Sequence, residues 1–547
     1  SLFDLHSSLH AQRDHYPLTD NQRGVYIEWE LNRDTTQYNI PSAEKMHGCT
    51  AEQLVAALKA VVNAHPILKA RLADVNGEAV MHRRDGYQLT IKNERLEEAP
   101  TQEFFQTLVR PFDLYEDDLC RLEVYTFGDE VHMFTDIHHI IYDGGSSFEF
   151  MDDLRRALVG EELVAETYTA FDNALDEQER LASPAFAEAE KYMDGLMSDY
   201  EVASYPHSAQ PDTEEAGAGQ LTVNVRGEAI TRFCQQQGVT LNSFFMTMTT
   251  QALHRLLRLD KLLITSITSG RDKAELHPSA GSGPGVIGMF VQTLPVVTAI
   301  SKASVIDTIK DMQRQYIDTQ DNSLFGYTRI AEKFGVHADI MFVYQGGAGA
   351  DMALHNDLEL KLNKAKAPIA IMIMPQEDDY SIVLDYDSSL YASGDISTLG
   401  KVIACMSEHA AKDANALMTT LPLVDEDEAA SIIAKSYGGD LAYGTEETLV
   451  DKVTLHAQKQ PDTVSVVDSQ SQYTYTELDA ASSAIAHRLT AEGVQPNEFV
   501  CIMLPRCKEF VASVIGVMKA GAAYVPVDME YPEDRKQYMI EDSEAKV

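Results

Sequence analysis

The chain has 547 residues, which is long enough for more than one domain, and 44% hydrophobic against 24% charged residues is ordinary globular composition. Its 44 Lys and Arg stand against 85 Asp and Glu, and a net charge of −41 disfavours nucleic acid and anionic membrane as partners. A soluble acidic surface accounts for the same charge without any partner. Six cysteines, Cys49, Cys120, Cys234, Cys405, Cys501 and Cys507, form no CxxC pair. They read as isolated, reduced thiols of a cytoplasmic protein. No signal peptide and no bilayer-length apolar run is visible, and the chain reads as a piece of something longer.

In chain order, LTDNQRGVYIEWEL (18–31) offers a Thr/Asp cap before apolar residues at helical spacing and contains the only tryptophan, Trp29. TAEQLVAALKAVVNAHP (50–66) predicts an amphipathic helix, with Thr50 and Gln53 in a capping-box pattern and Pro66 as its stop. CRLEVYTF (120–127) alternates as a strand, GDE turns, and VHMFTDIH (131–138) is the partner strand. Ser146 and Glu149 then suggest a capping box for a helix whose apolar face is Phe148, Met151, Leu154 and Leu158. A long helix is expected over 183–200, a loop at 214–220, helices at 227–237 and 240–258, and a strand at 261–269. Strands follow at 338–346, 368–375 and 380–387, then a helix near 395–412 and a boundary within 424–446. Beyond it, 498–504, 507–521, 522–528 and 532–542 alternate strand and helix, the rhythm of a parallel α/β sheet.

The stretch HHIIYDGG (138–145) joins a strand end to a helix start, where a rigid scaffold can position chemistry. Neutral imidazole with a pKa near ~6.5 suits proton transfer, which makes His139 a candidate base. Asp143 is too close within the turn to be assumed a relay for His139 and reads as the acid of a loop-holding salt bridge. Gly144 and Gly145 allow a tight turn and bring backbone N–H groups to a helix start, where they can meet a developing oxyanion. The competing readings are weaker. No HExxH and no Cys/His cluster supports a metal. Two adjacent histidines with Asp-Gly at this spacing arise by chance in about one such chain in several hundred. GPGVIG (283–288) fits GxGxxG but is followed by a strand-like run, so it reads as a turn and not a dinucleotide loop.

HHIIYDG resembles the HHxxxDG signature of the condensation domains of nonribosomal peptide synthetases. YPLTDNQRGVYIEWEL (16–31) resembles the family's first motif. HPILKARL (65–72) is similar to RHExLRTxF, with Ala64, Pro66, Lys69 and Ala70 at the places of Arg, Glu, Arg and Thr. IGMFVQTLPV (287–296) resembles IGxFVNTLPxR with Gln292 for Asn, and TQDNSLFGY (319–327) and DIMFVYQ (339–345) resemble later motifs. Arg271, in SGRD (269–272), is similar to the arginine that pairs with the signature aspartate, which implies an Asp143–Arg271 ion pair. YTYTEL (473–478) and MKAGAAYVPVDMEYPEDR (518–535) resemble the opening motifs of an adenylation domain, whose phosphate-gripping loop would come next.

The resemblance implies an α/β fold of two chloramphenicol-acetyltransferase-like lobes in a V, 1–175 and 176–430. A linker at 431–446 and a truncated, inactive α/β adenylation subdomain at 447–547 would follow. It implies amide formation between a donor acyl or peptidyl thioester and the amine of an acceptor aminoacyl thioester. Both substrates would ride on the phosphopantetheine arms of donor and acceptor peptidyl carrier proteins. His139 and Gly144 would be catalytic, with His138, Asp143 and Arg271 structural at the site. Gly288, Gln292, Tyr344 and Gln345 would line the tunnel or substrate. No metal and no cofactor of the domain itself is implied. The further partner is the rest of the adenylation domain. Epimerisation domains share the signature but normally precede a condensation domain, and cyclisation domains replace both histidines. The alternatives are a starter domain using a fatty acyl donor and a non-catalytic domain that recruits carrier proteins.

Overall fold

The computed structural model describes residues 13–213, 217–271, 285–346, 360, 367–439 and 447–547. Asp272, residues 283–284 of the GPGVIG stretch, residues 214–216 of the expected loop and residues 440–446 of the expected linker lie outside them. The chain forms two compact units, Ser1–Ile432 and Ile433–Val547.

The larger unit opens with β1 (His15–Tyr16) and α1 (Asp20–Leu31), whose capping box pairs Thr19 with Gln22 and whose buried face carries Val25 and Trp29. β2 (Asn39–Met46) leads to α2 (Ala51–Ala64), where Thr50 and Gln53 form the box. Pro66, which has no N–H to continue the helix, starts a 3-10 turn instead. Next come β3 (Arg71–Val75), β4 (Glu78–His82), β5 (Ile91–Arg95), β6 (Cys120–Phe127) and β7 (Glu130–His138). They form a three-stranded sheet in the order β1-β4-β3 and a four-stranded sheet in the order β2-β7-β6-β5. The β6–β7 hairpin turns at Gly128, whose φ of 58° is left-handed. α3 (Gly144–Leu158) follows at once, and then α4 (Ala170–Leu181) and α5 (Pro184–Leu196).

The second half of this unit contains β8 (Ala218–Val225), α6 (Glu228–Gln237), α7 (Leu241–Leu257), β9 (Lys261–Thr268) and β10 (Gln292–Ala299). After them come α8 (Val305–Asp321), α9 (Tyr327–Phe334), β11 (Ile340–Tyr344), β12 (Ile369–Gln376), β13 (Asp379–Asp387) and α10 (Ser393–Ala410). The strands make one mixed sheet, β10-β9-β11-β12-β13-β8, in which β11 runs parallel to both neighbours. Two main hydrophobic cores result. One spans Tyr16 to Leu175 and also takes in Val286, Ile287, Met289 and Phe290; the other surrounds the six-stranded sheet.

Three local expectations need correction. The loop expected at 214–220 gives way to β8 from Ala218 onward, because β13 pairs with it from Asp387–Ala218 to Tyr380–Val225. Gly219 fits there because a Cβ would come within 2.4 Å of the Tyr386 ring. The long helix at 183–200 is the shorter α5, preceded by the separate α4, whose Thr169–Asp172 box the sequence reading passed over. Lastly, α3 is capped by Asp143 and not by a Ser146–Glu149 box, since Gly144 and Gly145 are already helical.

The smaller unit carries α11 (Leu449–Lys459), the antiparallel β14 (Val464–Val467) and β15 (Gln472–Thr474), and α12 (Tyr475–Ala491). β16 (Phe499–Ile502), α13 (Lys508–Lys519), β17 (Ala523–Pro526) and α14 (Glu533–Asp542) complete it, with β16 and β17 parallel as the alternation predicts. Gly516 lets α13 approach α12, because a Cβ would lie 2.7 Å from Ile485.

Leu58 of α2 is fully buried in the first core. Leu58→Ala is expected to destabilise the larger unit by about 2–5 kcal/mol, read as a lower denaturant midpoint with the smaller unit's transition unchanged.

Candidate functional site

The two adjacent histidines take different environments. β7 ends at His138, opposite Asn39 of β2. His139 does not end the strand; it starts the 3-10 turn His139–Ile141, which Ile140 and Ile141 anchor in the core. Its N–H donates to the Tyr38 carbonyl at 2.8 Å, and its half-buried ring stands edge-on to the Tyr38 ring at 6.4 Å.

His138 is 2% exposed. Its Nδ1 accepts the Ile140 N–H at 3.2 Å, which assigns the ring proton to Nε2. The edge of Phe112 meets it at 5.5 Å, and the Arg121 guanidinium lies 3.5 Å from the centre of that same Phe112 ring. Burial, then His139 and Arg121, depress its pKa to about 3. His138 is therefore a neutral structural acceptor at physiological pH. Two residues before it, Asp136 accepts from Asn39 Nδ2 at 2.8 Å and from Arg121 at 3.2 Å. Burial pushes Asp136 up to about 6 against the pull of Arg121 and Asn39.

Asp143 is fully buried and accepts four hydrogen bonds. Oδ1 takes the Ser146 N–H at 2.7 Å, the Ser146 hydroxyl at 2.9 Å and the Arg271 guanidinium at 2.8 Å, and Oδ2 takes the Phe290 N–H at 2.8 Å. Arg271 also donates to the Val286 carbonyl at 2.7 Å and lies 4.6 Å from the centre of the Phe290 ring. Its approach depends on two glycines. Gly270 has φ 63°, and a Cβ there would sit 1.9 Å from the Phe290 carbonyl oxygen. At Gly145 a Cβ would meet Arg271 Nε at 2.5 Å. Gly144, by contrast, borders open space, with nothing within 4 Å of an added Cβ. Gly144 and Gly145 are the first two residues of α3, where backbone N–H groups have no intrahelical acceptor.

The segment Val286–Phe290 is held from further directions. The Gly288 N–H donates to Ser146 Oγ at 3.0 Å, and that hydroxyl lies 2.8 Å from the Gly288 carbonyl. The Ile287 N–H donates to Glu166 at 2.8 Å. Glu166 in turn lies 2.6 Å from His65 Nδ1, whose Nε2 meets Asp153 of α3 at 2.8 Å. Burial opposes a charge on His65, but the two carboxylates outweigh it and lift its pKa to about 9. Sequence reasoning missed Glu166 and Asp153 and gave Ser146 a capping role only, because only the fold brings them to this segment; His65 appears there only as part of a motif.

Of the expected tunnel residues, Gly288 lies against α3, while Gln292 opens β10 opposite Thr268 and would lie 3.3 Å from a Cβ at Gly270. Tyr344 ends β11 and packs on the second core, where burial raises its pKa to about 12. The Gln345 N–H donates to the Ile373 carbonyl, and its side chain is exposed. No described hydrogen bond or ring contact joins Tyr344 or Gln345 to the 138–147 stretch. Among the described residues no group of three His, Cys, Asp or Glu could hold a metal ion, and no helix is long and apolar enough to cross a membrane.

A family model described as "Condensation domain" matches residues 12–433. The chain belongs to the condensation-domain family. A model described as "AMP-binding enzyme" matches residues 453–547, so the condensation domain is followed by part of an adenylation domain. Gramicidin S synthase 2 of Brevibacillus brevis is 25% identical over 555 residues, covering 97% of this chain and 12% of its own length. Surfactin synthase subunit 2 of Bacillus subtilis (strain 168) is 26% identical over 561 residues, covering 98% of this chain and 15% of its own. The chain thus spans about an eighth to a seventh of these curated relatives. In fold it is similar to a four-domain nonribosomal peptide synthetase bound to AMP and glycine, with TM-score 0.71, 18% identity and coverage of 98% of this chain and 43% of that one. It is also similar to the first condensation domain of the calcium-dependent antibiotic synthetase in complex with a substrate analogue. There the TM-score is 0.60 and the identity 17%, over 75% of this chain and 99% of that one.

Arg271→Ala leaves the Asp143 carboxylate buried without its cation, and the condensation domain is expected to lose about 3–5 kcal/mol in a denaturant titration. The His138 imidazole titrates near 6.5 when unfolded and near 3 when folded. Protonation therefore favours the unfolded chain. The contribution is fully present above pH ~6.5 and is lost as pH falls toward ~3. His138→Asn, which keeps an acceptor for Ile140, should flatten the acid-side decline in stability by the slope of one proton.

Proposed function

We propose that the condensation domain joins an acyl or peptidyl thioester to the amine of an aminoacyl thioester, with both substrates carried on phosphopantetheine arms of donor and acceptor carrier proteins. The observation that carries this reading is the asymmetry of the histidine pair. His138 is sunk and neutral, while His139 sits half-buried on a turn braced beside the Asp143–Arg271 pair.

An α-amino group has a pKa near ~7.7–8.0, so the attacking nitrogen is partly protonated at neutral pH. In this reading His139 accepts a hydrogen bond from that amine, favours its neutral form and takes up the proton released as the C–N bond forms. The thioester carbonyl oxygen gains charge at the same moment and, in this reading, is met by the Gly144 N–H at the start of α3; the C–S bond then breaks, and the donor's phosphopantetheine leaves as a thiol that takes the proton His139 held. Gly144, bordering open space, leaves room for the reacting groups. Aligning two tethered substrates alone can supply about 7–11 kcal/mol of the acceleration. Asp143 and Arg271 hold the turn, and Gly288, Gln292, Tyr344 and Gln345 face substrate farther along.

The same reading divides the chain at 1–175, 176–430, 431–446 and 447–547, places it in the cytoplasm and gives it the rest of the adenylation domain as a partner. The segment 447–547 carries no adenylating activity by itself, and no ATP–pyrophosphate exchange is expected with any amino acid.

The test uses chemically loaded donor and acceptor carrier proteins and intact-protein mass spectrometry. Wild type should build condensed product on the acceptor, and His139→Ala should lose about 100-fold or more in rate. Equal rates would reduce the domain to a tethering scaffold. Absent product from both proteins, with carriers shown to bind, would favour the recruitment reading or other acyl donors, which a fatty acyl carrier distinguishes.

A further inference from the structure

The three-stranded sheet carries an arrangement that the acyl-transfer reading does not use. β4 ends at His82, and the register places His15 of β1 and Arg71 of β3 directly opposite it. Directly paired residues share a sheet face, so the three side chains form one lateral row. The His15 and His82 rings lie 4.9 Å apart. A second positive charge beside Arg71 is destabilising unless something neutralises it.

His82 also borders a cavity of about 660 Å³ whose rim includes Arg13, Asp14, Arg83, Arg84 and Asp85. Its acids do not balance its bases. Asp85 grips Arg83 Nε at 2.9 and 3.0 Å, and Asp118 takes one Arg84 nitrogen at 2.7 Å. Lys69, nearly buried beside them, donates only to the Asp85 backbone carbonyl, at 3.0 Å. No carboxylate among the described residues is bonded to Arg13 or Arg71. In a chain with 85 acids against 44 bases, three guanidiniums at one rim, with Arg71 opposite His82, reverse the general balance. They are also held in place: the Arg84 guanidinium lies 4.0 Å from the centre of the Tyr87 ring, and that of Arg83 5.2 Å from the centre of the Phe171 ring. Rigid guanidinium forks of this kind match tetrahedral oxyanions.

We propose that this cavity binds a phosphate group, either of a free phosphoanion or of a phosphodiester such as a phosphopantetheine arm. Bound phosphate meets His82 at the cavity end of that row and uses guanidinium nitrogens of the rim that the local acids leave open. Burial, then His15, Arg71 and Arg84, hold the His82 imidazole below its ordinary range, against the pull of Asp14. A bound anion works in the opposite direction and favours the protonated ring, while phosphate itself gains negative charge as the pH rises, so the two effects oppose each other.

The experiment is isothermal titration of the whole chain with inorganic phosphate at constant ionic strength and about pH 8, where phosphate is mostly a dianion. It is repeated with the double variant Arg13→Gln, Arg71→Gln, whose fold is checked by circular dichroism. Saturable binding that is about ten-fold or more weaker in the double variant is the expected result. Phosphopantetheine and phosphate-free pantetheine separate the sources. Tighter binding of phosphopantetheine than of phosphate assigns the site to a tethered arm, and equal binding of the two assigns it to a free anion. Three results would each overturn the proposal: no saturable phosphate binding, equal binding by the double variant, or pantetheine binding as well as its phosphorylated form.

Discussion

One buried carboxylate organises the site. Asp143 caps α3 through the Ser146 amide, neutralises Arg271 and accepts the Phe290 amide. A carboxylate this deep is tolerable only when its lone pairs are satisfied and its charge is paired. The cation and the donor to Oδ2 come from Arg271 and Phe290, more than a hundred positions away in the chain, so the ends of β7 and β9 and the start of β10 must converge for the charge to be stable. The histidine turn inherits its position from that requirement, since it lies between the last residue of β7 and the cap of α3.

The histidine pair shows how a short sequence can produce two chemical species. Consecutive residues at a strand end point to opposite sides. One side here is packed with Phe112 and the Arg121 cation behind it, and the other borders the turn. The adjacent positive charge and the loss of water act together on His138, and neither reaches it by way of sequence spacing. The pair thus sets a half-buried imidazole beside a buried, neutral one.

What could be read from the sequence follows the range of the forces involved. The capping boxes at Thr19 and Thr50, the β6–β7 hairpin and the alternation in the smaller unit are local, and the chain itself specifies them. β8 was not legible, because a Gly-containing stretch becomes a strand only when the edge of β13 is there to pair with it. The Ser146–Glu149 reading failed for a related reason. The pattern is a genuine start signal, but the Asp143 cap begins the helix earlier and leaves Ser146 to bond Gly288. The meeting of Asp143 with Arg271 was visible only through resemblance to a family. The His65–Glu166–Ile287 and His65–Asp153 contacts, at separations of 88 to 121 residues, left no local trace at all.

The path of the Val286–Phe290 segment has a thermodynamic consequence. Its side chains belong to the core of the first half, whereas Leu294 and Val296, only a few residues later, belong to the core of the six-stranded sheet. Neither core can dissolve without pulling on a strand or strap embedded in the other. The backbone amides of Ile287, Gly288 and Phe290 are bonded across this junction to Glu166, Ser146 and Asp143, so they open to exchange only when the junction itself opens. The larger unit therefore melts as one cooperative body, and its three sheets share a single stability.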